Sequence, residues 1–211
     1  MDLFIILPIL FFSIVLHEFA HGYAAYRMGD DTAYFMGRLT LNPLKHVDVI
    51  GTIVVPAVCY ISHLPLFGWA KPVPINASRF ASPRKGMGKV ALAGPLANLS
   101  LAVLCAVLIK AALLTQVFAA ETTARLIMFA MYGIQINVLL AVFNLMPIPP
   151  LDGGHIVVAL LPYSAAQKYA AFLGRYGMYV VLLLILTGVF KYIIYPPMYF
   201  IVRILGGLIG L

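Results

Sequence analysis

Two histidines and a glutamate stand close together near the start of this chain, in the run His17-Glu18-Phe19-Ala20-His21. On a helix, residues four positions apart share one face, so His17 and His21 can offer two imidazole nitrogens to one metal ion. Glu18 is rotated by about 100° from His17 and can act as a general base on a nearby water without being a ligand. This spacing predicts a metal centre that activates water for hydrolysis.

Zinc fits this motif, because catalytic zinc sites use three protein ligands and leave one position for water. The motif supplies two ligands, and Asp152 is the best candidate for the third. Asp152 follows prolines that exclude regular helix and precedes two glycines that permit a close backbone approach. A simple turn-forming aspartate stays open as an alternative. His155 could also approach the metal, but a supporting role is preferred because a fourth protein ligand would displace the water.

The motif lies inside an apolar run over residues 3–26. Hydrophobic residues make up 63% of the 211-residue chain and charged residues only 10%, whereas soluble domains are about half apolar. The composition therefore predicts an all-α polytopic membrane protein with a single membrane-embedded domain over residues 1–211. Because ionisable groups in hydrocarbon are costly, the motif indicates function, although a polar cluster that only stabilises helix packing stays an alternative.

About four to six transmembrane helices are predicted, within residues 3–27, 89–118, 125–146, 177–190 and 199–211, with a short apolar helix at 156–161. Residues 32–41 are rich in Thr, Tyr, Phe and Leu, which predicts a short membrane-associated β-hairpin. The apolar segment 47–66 is interrupted by Pro56 and predicts a re-entrant element. Asn98 and Asn137 lie on apolar spans and are expected to bridge helices, while Gly94-Pro95 is expected to mark a kink.

The net charge of +7 comes from 14 basic and 7 acidic residues. The basic side chains are densest in the loop 71–89, and such loops remain in the cytoplasm. If segment 47–66 is re-entrant, this loop and Arg27 lie on one side, and His17, His21 and Asp152 meet at the same cytoplasmic end. The chain is thus predicted to be a multi-pass protein of the cell membrane. Nucleic-acid binding is not expected, because there is no soluble basic face to present.

At these residues the chain resembles the site-2 protease family of intramembrane zinc metalloproteases, peptidase family M50. The resemblance rests on HEFAH (17–21) and on FNLMPIPPLDGG (143–154), which is similar to the family's N-P-D-G element. Three intervening segments, GRLTLNP (37–43), GWAKPVP (68–74) and AGPLAN (93–98), resemble the compact prokaryotic branch without PDZ or CBS domains. The resemblance covers roughly residues 13–155 and implies a prokaryotic source.

The resemblance implies one zinc ion per chain, bound by His17, His21 and Asp152. It also implies that Glu18 is the catalytic base and that Asn144 helps to hold the substrate or the intermediate. The implied substrates are single-span membrane proteins in the lipid bilayer, cleaved within or near their transmembrane helices. A substrate helix must unwind locally before it is cleaved, and the hairpin at 32–41 is expected to offer a strand edge to the unwound chain.

Two other functions remain open. A membrane metal-binding or transport protein could use the histidine pair and Asp152 as a transit site, although no chain of polar residues continues past the motif. An inactive relative could bind transmembrane helices without cleaving them, although the intact Glu18 argues against this. The substrate and the oligomeric state are not specified by the sequence.

Overall fold

A computed structural model describes residues 3–62, 68–115 and 117–210, and all regular structure in these ranges is helical. The predicted helical membrane protein is confirmed, but the predicted β-hairpin is not. The eight α-helices are α1 (Leu3–Arg27), α2 (Thr32–Phe35), α3 (Val55–Ile61), α4 (Pro83–Thr115), α5 (Ala120–Asn144), α6 (Asp152–Leu160), α7 (Tyr163–Leu186) and α8 (Phe190–Ile209). Short 3-10 turns lie at Pro43–Lys45 and Ala77–Arg79, and a π-helix over Val49–Val54 leads into α3.

By length and apolar composition, α1, α4, α5 and α8 could each cross a membrane. Helix α7 is bent by 57° between Phe172 and Gly174, and it adds a fifth span only if its two halves act as one. This agrees with the predicted number of four to six. The last helix begins earlier than the expected segment 199–211, since Pro196 and Pro197 lie inside it and do not end it. Neighbouring helices can re-satisfy the backbone groups that proline leaves unpaired.

Helix α4 lies at the centre and packs against α1, α5, α6 and α8. Small side chains let α4 and α5 approach closely, as is common between transmembrane helices. A Cβ built on Gly133 of α5 would lie 2.7 Å from the sulfur of Cys105 on α4. The apolar core between these helices and α8 contains Ala102, Ala106, Ile109, Ala130, Ile134, Val138, Leu205 and Ile209.

Helix α8 runs parallel to α4 and antiparallel to α5. At its C-terminal end, Ile209 packs in one cluster with Ile109 near the end of α4, and the ammonium nitrogen of Lys110 lies 3.5 Å from the Ile209 carbonyl. At its N-terminal end, Ile194 packs with Met146, just beyond the C-terminus of α5. Helix α8 therefore starts at the end of the molecule where α4 begins and α5 ends.

Both halves of α7 contact the proline-rich turn 147–151 that follows α5. The hydroxyl of Tyr169 in the first half donates to the Pro147 carbonyl, while Gly177 in the second half lies against the backbone of Pro149. Val181 packs in the same cluster as Leu151. Helix α7 therefore stays at the end of the molecule that holds this turn.

The predicted β-hairpin at 32–41 is wrong. Residues Thr32–Phe35 form a single helical turn, and the following residues are turns and bends. The turn begins where the Asp30 carboxylate accepts hydrogen bonds from the backbone and hydroxyl of Thr32, and it ends at Gly37 with a left-handed φ of +62°. Strand composition is decisive only where a partner strand pairs with the segment, and the described residues contain no strand.

The segment expected to be re-entrant is helical in its described part. The helical part is capped by Asp48, whose carboxylate accepts a hydrogen bond from the Gly51 amide at 2.7 Å. Its π portion has six residues and its α portion has seven. At about 1.5 Å per residue this length is roughly 20 Å, too short for a bilayer core of about 30 Å. Residues 63–66 of this segment, including His63, lie outside the described residues, as do residue 67 and Leu211.

Candidate metal centre

Three ligand atoms converge between α1 and α6. His17 and His21 lie on one face of α1, both 7% exposed, and Asp152 is the first residue of α6. The Nε2 atoms of His17 and His21 are 3.0 Å apart. Asp152 Oδ2 lies 3.2 Å from the Nε2 of His17 and 3.3 Å from that of His21. The structure thus brings together the three residues proposed from the sequence as metal ligands.

The second nitrogen of each imidazole shows which nitrogen carries the proton. His21 Nδ1 lies 2.8 Å from the Val90 carbonyl, which can only accept, so a neutral His21 carries its proton on Nδ1. His17 Nδ1 lies 2.6 Å from Asn98 Oδ1, which is also an acceptor. Both Nε2 atoms therefore present lone pairs to each other and to Asp152.

The remaining atom of the group is also an acceptor without a donor. Asp152 Oδ2 is buried and has no hydrogen-bond donor in the described part of the chain. Three mutually facing lone pairs repel one another unless a cation lies between them. Tetrahedral zinc with ligand bonds of about 2.0–2.1 Å places its ligand atoms about 3.3 Å apart, close to the distances seen here. The donor set therefore fits a zinc ion.

Two glycines fold the start of α6 tightly against the end of α5. A Cβ on Gly153 would collide with the carbonyl oxygens of Leu145 and Met146, and one on Gly154 would lie 2.7 Å from the ring of Pro149. Larger residues at these positions would push α6 outward. The two glycines thus allow Asp152 to reach the histidine pair on α1.

Glu18 lies one residue from His17 and is not one of the three converging residues. Its Oε2 accepts a hydrogen bond of 2.9 Å from the backbone amide of Val73, which belongs to the irregular segment 68–76. Glu18, His17 and Asn144 line one cavity of about 260 Å³. The carboxylate is thus fixed at the edge of a space that a peptide could enter.

The other candidate residues take different positions. The Asn144 side chain lines the cavity and donates from Nδ2 to the Leu140 carbonyl at 3.0 Å, one turn earlier in α5. Its expected role in holding the substrate stays a prediction. The His155 side chain is exposed and does not belong to the converging group.

Two residues of α4 contact the candidate metal centre but were not predicted as site residues from the sequence. Asn98 was expected only to bridge helices, yet its oxygen contacts His17. Gly94 was expected to mark a kink, yet a Cβ built on it would lie 2.5 Å from His21 Nε2. The two positions are four residues apart on one helix face, and this spacing is a signal that could have identified them together.

Comparison with known proteins gives consistent matches. A family model described as peptidase family M50 matches residues 112–188. A Bacillus subtilis protein named "Putative zinc metalloprotease YwhC" is 40% identical over 186 residues, covering 87% of this chain and 81% of that protein. No solved structure gives a significant match.

More distant relatives match a smaller share of their own length. The Mycolicibacterium smegmatis protein named "Putative zinc metalloprotease Rip2" is 34% identical over 182 residues, which are 83% of this chain and 64% of that protein. The Methanocaldococcus jannaschii protein named "Putative zinc metalloprotease MJ0611" is 28% identical over 148 residues, with 69% and 64% coverage. Because the Bacillus subtilis match extends over most of both chains, and the family model matches as well, this chain belongs to peptidase family M50.

Proposed function

We propose that this chain is an intramembrane zinc metalloprotease that hydrolyses peptide bonds within or near the transmembrane helices of membrane proteins, acting as one membrane-embedded domain. The observation that carries the proposal is the position of Glu18 beside three converging acceptors, on a helix long and apolar enough to cross a membrane. The names of the relatives as zinc metalloproteases support it.

His17, His21 and Asp152 would hold one zinc ion per chain. When bound, zinc supplies a Lewis acid and lowers the pKa of a coordinated water toward about 7. The three residues present two neutral imidazoles and one carboxylate, which leave the ion a net positive charge. They would also leave the ion one open position for water or substrate.

Glu18 is proposed to move the proton in this reaction. Its carboxylate takes a proton from the attacking water and passes it to the nitrogen of the leaving amine as the peptide C–N bond breaks. The hydrogen bond from the Val73 amide holds Oε2 in place. A carboxylate held in this way loses little freedom when the substrate binds, which favours proton transfer.

A substrate is proposed to enter the cavity beside Glu18 as an unwound, extended chain. An intact helix keeps its backbone carbonyls hydrogen-bonded and shielded from attack, so it must open locally before a peptide bond can be cleaved. The walls are mostly apolar, with contributions from Trp69, Phe143, Leu151, Met178 and Val181. Asn144 supplies a polar side chain for the exposed peptide groups of the substrate.

The site is proposed to open toward the cytoplasm. Arg27 ends α1, and Arg84 and Lys85 stand in the first turn of α4, so these basic residues lie at the same end as Asp152. Cytoplasmic loops carry such an excess of positive charge. Water would then reach Glu18 from that side.

Metal transport is disfavoured by the packing beyond the site. A transit path needs polar groups across the membrane, but the helix interface past Asn98 is the apolar core that includes Ala102, Ile109 and Ile134. Within the described residues, the polar groups behind His17 end at Asn137. An ion at the histidine pair would meet no further ligands on that route.

The experiment compares zinc content and cleavage for purified full-length protein in proteoliposomes with single-span substrates. Glu18→Gln should lower the rate of cleavage by about 10²- to 10⁴-fold and keep one zinc per chain, whereas Asp152→Asn should lose the zinc. Glu121→Gln is the control, because Glu121 is the other glutamate and pairs with Arg125 on an exposed surface. Cleavage that survives Glu18→Gln would refute the assignment of the base.

A further inference from the structure

A buried polar cluster lies directly behind His17. It consists of Ser13 on α1, Asn98 on α4 and Asn137 on α5, and all three side chains are 0% exposed. Buried amides between apolar helices are costly unless their hydrogen bonds are satisfied. The two asparagine amides must therefore find hydrogen-bond partners inside the cluster.

The hydrogen bonds of the cluster determine which way the Asn98 amide faces. Its Nδ2 donates to the Ser13 carbonyl at 3.2 Å and to Asn137 Oδ1 at 2.9 Å. The Asn137 amide is fixed in turn, because its Nδ2 donates to the Gly133 carbonyl and to Ser13 Oγ, both at 2.9 Å. A flipped Asn98 would direct its oxygen at two acceptors. Asn98 Oδ1 must therefore face His17.

The two imidazoles depend on different kinds of partner. His21 Nδ1 faces a backbone carbonyl, that of Val90, which no side-chain substitution removes. His17 Nδ1 faces the Asn98 side chain at 2.6 Å. The orientation and tautomer of His17 thus depend on one amide that substitution can change.

We infer that Asn98 is a positioning residue that fixes the tautomer and ring orientation of His17 for metal binding, and that Asn137 acts through Asn98 by locking its amide. This inference rests on the proposed metal centre. Partners of metal-ligating histidines typically change metal affinity by about 10- to 100-fold when they are removed. The inference predicts a loss of that size on zinc affinity, separate from any effect on folding.

The test measures zinc affinity of the full-length protein in detergent by competition with a chromophoric chelator, together with the thermal unfolding of the zinc-free protein. Asn98→Leu keeps the branched shape and the number of side-chain heavy atoms in an apolar span but removes the acceptor, so zinc should bind about 10- to 100-fold more weakly while the protein still folds. Ser100→Leu is the control on the same helix, because Ser100 is exposed. Its zinc affinity should equal that of the wild type.

Asn98→Asp separates positioning from structure. An aspartate can still accept the proton of His17 Nδ1, and carboxylate–histidine–zinc arrangements are common. Its other oxygen would face the acceptors on Ser13 and Asn137, which should lower the unfolding temperature. We expect zinc affinity within about tenfold of wild type despite the lower stability. The zinc affinity of Asn137→Leu should fall between those of Asn98→Leu and wild type. In this variant Asn98 keeps the oxygen that accepts from His17 but loses the hydrogen bond to Asn137 that fixes its amide.

Several results would overturn the inference. Equal zinc affinity in Asn98→Leu and wild type would show that Asn98 does not position His17, while the metal centre would stand. A zinc affinity that follows unfolding temperature, with Asn98→Asp weaker than Asn98→Leu, would reduce Asn98 to a structural role. If the wild type and the Ser100→Leu control bind no zinc, the metal centre itself fails.

Discussion

Gly94 of α4 lies directly against the imidazole of His21 on α1. A Cβ built on Gly94 would stand 2.5 Å from His21 Nε2 and 2.6 Å from His17 Cε1. Real side chains essentially never approach so closely, and both imidazoles are held from behind by hydrogen bonds. The backbone of α4 therefore forms one wall of the proposed metal centre, and only glycine fits there.

Gly94→Ala should weaken zinc binding by about tenfold or more, because the added methyl displaces one imidazole by a substantial part of an ångström. The measurement is zinc affinity of the purified protein by chelator competition. Gly207→Ala is a matched control, since Gly207 is also helical but has no atom within 4 Å of its Cβ position. Unchanged zinc affinity in Gly94→Ala would contradict the close approach.

Val73→Pro should slow proteolysis while leaving the zinc content intact. The change removes the backbone N–H that holds Glu18 Oε2 at 2.9 Å and leaves all three proposed zinc ligands in place. A general base misplaced by about 1 Å can cost up to about 100-fold in rate, so we expect a loss of 10- to 100-fold in the cleavage assay. Val73→Thr is the control, because it keeps the N–H and nearly the same volume. Equal rates for the two variants would argue against the role of this hydrogen bond.

Asp30→Asn should destabilise the protein by about 1–3 kcal/mol at neutral pH. The Asp30 carboxylate is buried between α1 and α2 and accepts a hydrogen bond from the backbone N–H of Asn76 at 2.6 Å. It therefore anchors the segment that carries Val73. Burial raises the pKa of Asp30, but hydrogen bonds from Thr32 and Asn76 and the charge of Arg79 outweigh burial and hold the pKa below its usual value.

This depressed pKa of Asp30 sets the pH dependence of the effect. The ionised carboxylate stabilises the folded protein above the unfolded-state pKa of about 3.9, and the stabilisation disappears as the pH falls through the lower folded-state pKa. Thermal unfolding from pH 3 to 7 should therefore show a difference between wild type and Asp30→Asn that is full near neutrality and shrinks below about pH 4. A difference that stays constant over this range would rule out the anchoring charge.

Thr187→Cys should react with a membrane-impermeant maleimide from the same side as Lys85→Cys and from the opposite side to Thr122→Cys. This follows because α8 runs parallel to α4, so that the α7–α8 junction lies at the end where α4 begins. The background is Cys59→Ser/Cys105→Ser, which removes both native thiols. If Thr187→Cys reacted together with Thr122→Cys, α7 would cross the membrane and its packing against the turn 147–151 would not hold in the bilayer.

The proposed metal ligands could be found from the sequence because each depends on local rules. The i, i+4 spacing places His17 and His21 on one helix face, and the prolines and glycines around Asp152 indicate a backbone that leaves the helix and approaches another element closely. The positive charge of the loops indicated that the histidine pair and Asp152 lie at the same end of the molecule. None of these signals requires knowledge of which helix faces meet.

The residues that were missed depend on such contacts. Asn98 is 81 positions from His17, and hydropathy shows that α4 is a span but not which of its faces meets α1. The direction of α8 was equally hidden, because it follows from the packing of its two ends against α4 and the end of α5. The β-hairpin prediction fails for a different reason. The composition of residues 32–41 favours strands, but the local hydrogen bonds of Asp30 and the left-handed Gly37 favour a helical turn.

The position of Asp152 at the start of α6, 135 residues after His17, has a consequence for biosynthesis. At roughly 5–20 residues per second, a ribosome needs about 7–27 s to proceed from one residue to the other. During that interval α1 carries two of the three proposed zinc ligands and Glu18, but the Asp152 carboxylate is missing. A nascent chain still being inserted at the translocon therefore has an incomplete site. Under the proposed function, hydrolytic activity would arise only after α5 and α6 have been synthesised and folded against α1, so unfinished chains would not cleave neighbouring membrane proteins.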